Sequence, residues 1–214
     1  MANDGQLYVM QEKARAPFLT VVTPTKVGIK GREKGDPIYS ATVLLEADGP
    51  DSKALKAALT AIAKAAFPGR PLSELKFPIV SGDVEADKSV EKGKDGSFFR
   101  GKLVLKATSN QDNPPALGAI GEGSVRELSG AQREIEGKRL FYNGCHVLLA
   151  LYLAPYRSGK DGGIGEFSGV KAYLNQVVWA GDGPRIGGSS VTETFKHYAG
   201  TVTAADPYKD EVPF

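Results

Sequence analysis

A mainly β domain with one helix, closed as a small barrel or sandwich, is the fold class this chain predicts. Three observations carry that reading. Segments with period-two alternation, rich in β-branched and aromatic residues, recur at 18–29, 38–47, 98–108 and 139–157, as half-buried strands do. Only one segment, 51–66, shows a clean helical stripe. Strands follow strands without a helix between each pair, which disfavours a doubly wound parallel sheet. The chain has 214 residues, 41% hydrophobic and 24% charged, enough for one domain of generous size. We place that domain at 1–200 and a flexible acidic C-terminal tail at 201–214.

The first strand region reads FLTVVTPTKVGI from Phe18 to Ile29. Leu19, Val21, Val27 and Ile29 share one parity and form a core face, and Lys26 and Lys30 take the other. Pro24 and Gly28 imply a bend or bulge, as the closing of a small barrel requires. A basic turn, Gly31-Arg32-Glu33-Lys34-Gly35, leads into a second strand from Ile38 to Ala47. The helix at 51–66 is capped by Asp51 or Ser52. Leu55, Leu59, Ile62 and Ala66 form its apolar stripe, Lys53, Lys56 and Lys64 lie off it, and Phe67-Pro68-Gly69 ends it.

Residues 70–97 read as a solvated hairpin or flap with a polar centre. Asp83, Glu85 and Asp87 fall there, but a calcium loop needs a glycine at its sixth position and a later bidentate glutamate. We assign no metal site. The third strand, 98–108, carries Phe98, Arg100, Lys102, Val104 and Lys106 on one face and Phe99, Leu103, Leu105 and Ala107 on the other. A core face backed by an aromatic and basic face fits a binding surface; an edge strand kept soluble by lysines fits equally. Phe99 belongs to the core. Residues 109–137 form a second long excursion. In 139–157, Val147, Leu149, Leu151 and Leu153 share one parity; Tyr142, His146, Tyr152 and Tyr156 share the other, with Arg139 and Arg157 flanking. A Gly-rich turn at 158–165 precedes 166–181, which periodicity leaves open between a strand and a short helix.

No catalytic constellation emerges. There is no phosphate loop and no Gly-x-Ser-x-Gly elbow. The two histidines, His146 and His197, have no metal-ligand spacing with Cys145. That lone cysteine sits in an apolar run and reads as an inert buried thiol, consistent with a reducing compartment. No apolar run is long enough to span a membrane, and the first residues lack the pattern of a secretory signal. The expectation is a cytosolic protein that is not an enzyme and needs no cofactor.

Single-strand binders need a positive groove for phosphates and flat rings on which bases stack. Here rings and cations interleave: Tyr39 near Arg32; Phe98 beside Arg100 and Lys102; Tyr142 near Arg139; Tyr152 and Tyr156 beside Arg157; Tyr173 and Trp179 near Lys171. Each ring alone fits core packing as well; the collective pattern points to nucleic acid. The tail adds a second signal. Residues 206–214 hold Asp206, Asp210 and Glu211 against Lys209, a side-chain sum of −2, which leaves +4 on the rest of a chain whose net charge is +2. An acidic stretch ending in Pro213 and Phe214 suits capture by a partner with an apolar pocket and a basic rim. It also suits competition for a basic groove on the body.

The chain resembles a family of phage single-stranded DNA-binding proteins with an OB-fold, long known only as a domain of unknown function. The resemblance rests on Ile38-Tyr39-Ser40-Ala41-Thr42-Val43-Leu44-Leu45, on Gly101-Lys102-Leu103-Val104-Leu105-Lys106-Ala107 with prolines after it, on Tyr142-Asn143-Gly144-Cys145-His146-Val147, and on 165–177. It spans 18–187 plus the tail, which departs from a purely acidic one at Lys209. It implies an OB-fold, a five-stranded barrel with long loop excursions; binding of single-stranded DNA without sequence preference during phage replication, recombination and repair; no cofactor; and residence in the cytoplasm of the infected host. The expected DNA-binding residues are Lys26, Lys30, Arg32, Tyr39, Phe98, Arg100, Lys102, Lys106, Tyr142, Tyr152, Tyr156, Arg157, Lys171 and Trp179. The expected partner-binding residues are Asp210, Glu211, Pro213 and Phe214, engaging replication or recombination enzymes. A strand-annealing recombination protein and a protein-interaction scaffold are the alternatives. Accelerated annealing would mark the first, and tight oligo-dT binding that weakens with salt would separate a binder from the second.

Overall fold

Alternating apolar residues assemble nine strands into one sheet among the residues described by the computed structural model, 5–26, 36–160 and 163–187. The strands are β1 (Gln6–Val9), β2 (Ala14–Thr25), β3 (Ile38–Glu46), β4 (Ile79–Ser81), β5 (Lys102–Asn110), β6 (Ala116–Gly121), β7 (Ser124–Leu128), β8 (His146–Tyr156) and β9 (Gly169–Gly181). The helices are α1 (Pro50–Ala66), α2 (Gly82–Glu91) and α3 (Gly130–Leu140).

Five strands pair in a ring. β2 runs antiparallel to β3 and β3 to β5. β5 meets β9 in parallel at Thr108↔Tyr173. β9 runs antiparallel to β8, and β8 returns to β2 at Ala14↔Val147 and Arg15↔His146. The other four strands are additions: β1 extends the sheet from β8, the β6–β7 hairpin extends it from β9, and β4 lies beside β5. The expectation of five strands therefore undercounts the sheet.

The inward parity of the ring forms one core. Val21, Val43, Leu45, Leu105, Ala107, Val147, Leu149, Leu151, Leu153, Ala172 and Leu174 are all buried in it. Leu55, Leu59 and Ile62 carry the α1 stripe into the same cluster, and Phe67 closes the helix against it. Each such leucine contributes about 1.5–3 kcal/mol of burial. Register shifts in β2 fall between Arg15 and Phe18 and between Thr20 and Thr25, so the bend expected at Pro24 is present. A further shift between Ala150 and Leu151 leaves Asn175 without a counterpart on β8. Leu174 and Val177 consequently both face inward.

The chain has three helices rather than the one that its periodicity predicts. The polar stretch expected as a flap contains α2, and the second excursion contains the β6–β7 hairpin and α3. Neither extra helix has a stripe to read. α2 buries only Gly82 and Ala86, and α3 only Gly137 and Leu140. Both are held by polar contacts. Arg133 of α3 donates to the carbonyls of Pro115 and Val21 at 2.7 and 3.0 Å. α2 starts with Asp83 and Glu85 in its first turn, where the helix dipole favours acids. The segment left open at 166–181 is strand β9. The strand placed at 98–108 begins only at Lys102, because Ser97–Phe99 form a 3₁₀ turn and Gly101 takes φ +69°.

At α1, Gly49 precedes a proline at the first helical position, and neither Asp51 nor Ser52 acts as the side-chain cap. Asp51 is instead 3% exposed. It accepts hydrogen bonds from the Tyr8 hydroxyl at 2.5 Å and from the backbone N–H groups of Gln11 and Glu12 at 3.0 and 2.9 Å. It thereby fastens the N-terminal segment to the helix. Burial pushes the Cys145 thiol up to about 11, in keeping with an inert sulfur. Among the described residues no helix is long and apolar enough to cross a membrane.

Candidate nucleic-acid interface

The outward parity of the ring lines up across five strands. Thr20 pairs with Ser40, Ser40 with Thr108, Thr108 with Tyr173, and Tyr173 with Tyr152. One row of hydroxyls thus ends in two adjacent tyrosines. The next row runs Phe18, Thr42, Lys106. Lys106 and Lys171 sit two residues before Thr108 and Tyr173 on parallel strands, so they share the outward face. Lys171 also pairs with Ala154, and Tyr156 with Gly169.

Below that parallel contact the strands part, and residues 76–78 fill the wedge. The Lys106 N–H donates to the Pro78 carbonyl at 2.8 Å, and the Val170 N–H to the Lys76 carbonyl at 2.9 Å. The approach is close: a Cβ on Gly169 would lie 2.0 Å from the Lys76 oxygen. The result is a hollow of about 420 Å³ lined by Lys76, Lys106, Thr108, Tyr156, Lys171 and Tyr173. A neighbouring hollow of about 510 Å³ shares Tyr173 and adds Tyr152, Asn110 and Asn175. The Lys171 ammonium lies 5.0 Å from the centre of the Tyr173 ring, a cation–π contact. Burial, helped by Tyr173 nearby, raises the Tyr156 phenol above its ordinary value, so it stays neutral. Lys106 reaches Glu85 of α2 at 2.7 Å, and Lys88 reaches the same carboxylate at 3.2 Å. Burial disfavours the charged form of Glu85, but hydrogen bonds from Lys106 and Lys88 outweigh it and hold the carboxyl below its usual range. Flat rings, hydroxyls and ammonium groups in one concave face can stack bases and neutralise phosphates.

The structure divides the expected residues. Lys106, Tyr152, Tyr156 and Lys171 come together on this face. Arg157 is exposed just past β8, 3.5 Å from the Ala66 carbonyl at the end of α1. Lys26 is exposed at the end of β2. Lys30 and Arg32, and Asp210, Glu211, Pro213 and Phe214 in the tail, lie outside the described residues. Arg100 and Lys102 sit toward the other end of β5, paired with Asp87 and Glu46 at 2.6 Å each. Phe98 does not present a free ring. It packs against a second buried cluster of Leu44, Ala86, Phe99 and Val104, 4.3 Å from the Phe99 ring, because α2 and the 3₁₀ turn fold over that end of β3 and β5. Tyr39 does not face outward either. It shares the inward parity of Ala41 and Val43, is 8% exposed, and lies beneath the Arg133 guanidinium. Tyr142 and Trp179 gather in a separate hollow with Arg126, Arg139 and Arg185.

Tyr173 belongs to the interleaved pattern but not to the expected set, and three further residues of the face escaped sequence reasoning. Phe18, 46% exposed on β2, was readable from its parity opposite Leu19 and Val21. Thr108 shares the parity of Lys106. Lys76 carried no signal, since only the wedge brings it there.

A protein-family model described as the Enterobacter phage Enc34 ssDNA-binding protein matches residues 7–206. No curated protein matches the chain. Among solved structures, the single-stranded DNA-binding protein from bacteriophage Enc34 in complex with ssDNA is 21% identical, with a TM-score of 0.57, over 87% of this chain and 91% of that one. A second structure of the single-stranded DNA-binding protein from bacteriophage Enc34 is 20% identical, with a TM-score of 0.56, over 92% of this chain and 91% of that one. These likenesses establish a shared fold across nearly the whole length. With residues 7–206 inside the family match, the chain belongs to the phage Enc34 single-stranded DNA-binding protein family.

Proposed function

We propose that the protein coats single-stranded DNA along the outward face of the five-strand ring, without sequence preference, as a phage accessory to replication, recombination and repair in the host cytoplasm. The observation that carries this is the continuous register row from Thr20 to Tyr152, flanked by Lys106 and Lys171. The ring reads as an OB barrel. OB-folds bind oligonucleotides on the face of their second and third strands and with the loops after the first and fourth. Here those strands are β3 and β5, and the loops correspond to the connections from β2 to β3 and from β8 to β9. The first connection carries Lys26, Lys30 and Arg32 in sequence, of which Lys26 is among the described residues. The second holds Arg157 and Lys160, with Phe167 60% exposed.

Tyr152 and Tyr173 offer π-faces to bases, and Lys76, Lys106 and Lys171 take phosphates. Stacking and phosphate contacts carry no base code. The tail at 201–214 recruits partner enzymes through Phe214 and its neighbouring carboxylates, and competes with phosphates for the basic face. Anisotropy titrations with single-stranded and duplex oligonucleotides test the reading. Single strands are preferred, and log K falls against log salt with a slope of about −2 to −4. Deletion of 206–214 tightens binding modestly and abolishes partner capture. Equal affinity for duplex, or a flat salt response, refutes the assignment.

A further inference from the structure

Where β9 runs on past the ring beside β6, a second hollow of about 360 Å³ opens between the β6–β7 hairpin, α3 and the segment after β9. Trp179 and Tyr142 line it with Arg126, Arg139, Arg185 and Asp182. It is distinct from the barrel face: Trp179 lies six residues beyond Tyr173 on β9, about 20 Å along the strand.

The groups in this hollow are fixed. The Tyr142 hydroxyl donates to Asp182 at 2.8 Å and accepts the Gly183 N–H at 3.0 Å. The Arg185 guanidinium lies 4.2 Å from the centre of the Tyr142 ring. Arg126 is committed to Glu136 at 2.6 Å. Arg139 acts on the same Glu136 carboxylate, so Arg126, Arg139 and Arg185 against Glu136 and Asp182 leave one positive charge in excess, which matches one phosphodiester. The Trp179 indole nitrogen is buried and has no hydrogen-bond partner among the described residues. A buried N–H donor of this kind calls for an acceptor.

We propose that this hollow is a second subsite for the same single strand, holding one nucleotide: its phosphodiester on Arg139 and Arg185, and a base carbonyl on the Trp179 N–H. The inference rests on the reading of the protein as a single-strand binder, and extends the DNA path beyond the barrel face. Nucleotides combine an anion that guanidinium groups grip in a fork with a ring edge that carries carbonyl acceptors.

Trp179 is the chain's only tryptophan, so its emission reports this hollow alone. The full chain is titrated with dT18 while anisotropy of labelled dT18 follows total binding. Trp179 emission changes in step with binding. Arg139→Gln with Arg185→Gln removes that change, weakens binding about tenfold and makes the salt slope shallower by about 0.7 for the lost phosphate. Trp179→Phe keeps a ring in the hollow, loses the donor together with part of the indole's packing against the core, and weakens binding about threefold or more, with its melt followed to separate the two losses. Tyr173→Ala lowers affinity through the barrel face but leaves the Trp179 response intact at saturation. Saturation by dT18 with unchanged Trp179 emission overturns the subsite, as does wild-type affinity in a double glutamine variant with an unaltered melt. If Tyr173→Ala binds normally while the arginine pair is required, the barrel face is refuted and the subsite stands.

Discussion

Tyr173→Ala separates stacking from charge. Tyr173 stands in the outward row between Thr108 and Tyr152 and belongs to neither buried cluster. Its removal therefore costs little folding energy. The main loss is the Lys171 contact at 5.0 Å, about 0.5–1 kcal/mol at an exposed site. For a chain of this length that lowers the melting temperature by roughly 1–4 °C. Binding should suffer more. One stacked base contributes about 1–3 kcal/mol by alanine substitution, which raises Kd about 5- to 150-fold. Tyr173→Phe keeps the π-face and stays within about twofold of wild type. The salt slope distinguishes the two components. Tyr173→Ala leaves it unchanged, whereas Lys171→Gln flattens it by about 0.7, one phosphate on a single strand. Anisotropy with dT18 at four or five salt concentrations provides both readings. The reasoning fails if Tyr173→Ala binds within twofold of wild type while melting normally. It fails equally if the variant flattens the slope as Lys171→Gln does, because the ring would then act only by holding the lysine.

Three further substitutions probe the surroundings. Glu85→Gln removes the carboxylate 2.7 Å from Lys106 and frees that ammonium, so single-strand affinity rises about two- to fivefold at low salt, with the gain lost as salt screens the face. Asp51→Ala strands the Tyr8 hydroxyl and two backbone N–H groups, costing about 3 kcal/mol and lowering the melting temperature by roughly 6–12 °C; calorimetry checks it. Gly169→Ala drives a Cβ to 2.0 Å from the Lys76 carbonyl, so the wedge must open at a cost of about 1–3 kcal/mol, and both thermal stability and oligonucleotide affinity fall.

The strands of the ring were legible because each repeats a two-residue apolar period long enough to see. The four inward residues of β8, Val147 to Leu153, sit where their parity predicts. Closure of the ring was not legible: it depends on Ala14↔Val147 and Thr108↔Tyr173, pairings between distant segments that no local pattern encodes. The β6–β7 hairpin was hidden in a Gly-rich stretch. Its turn uses Glu122 and Gly123 at φ +50° and +78°, the backbone of a tight hairpin, without the Asn-Gly signature. α2 and α3 escaped because polar contacts anchor them in place of a stripe. On the proposed site, parity named Lys106 and Tyr152, and the interleaving of rings and cations named Lys171. Parity misplaced Phe98 because Gly101 breaks the register before β5 begins. Tyr39 shares its parity with Ala41 and Val43, and its nearness in sequence to Arg32 made an inward residue read as an outward one.

The position of α2 also limits the proposed site to one end of the ring's outward face. Ala86 and the Phe98–Phe99 pair cover Leu44 and Val104, so the lower outward rows of β3 and β5 are sealed. The acids of the same helix neutralise what lies at the seal: Asp87 holds Arg100 and Glu85 holds Lys106. Lys106 is thus the boundary residue, facing Glu85 on one side and Lys171 and Tyr173 on the other. A phosphate arriving there exchanges for a carboxylate rather than for water alone. This exchange makes the lysine a weaker anchor than its position suggests and shifts the binding energy toward the tyrosine pair and Lys171. The segment read from sequence as a solvated hairpin or flap therefore sets the lower edge of the proposed interface and, on that proposal, the balance between its rings and its charges.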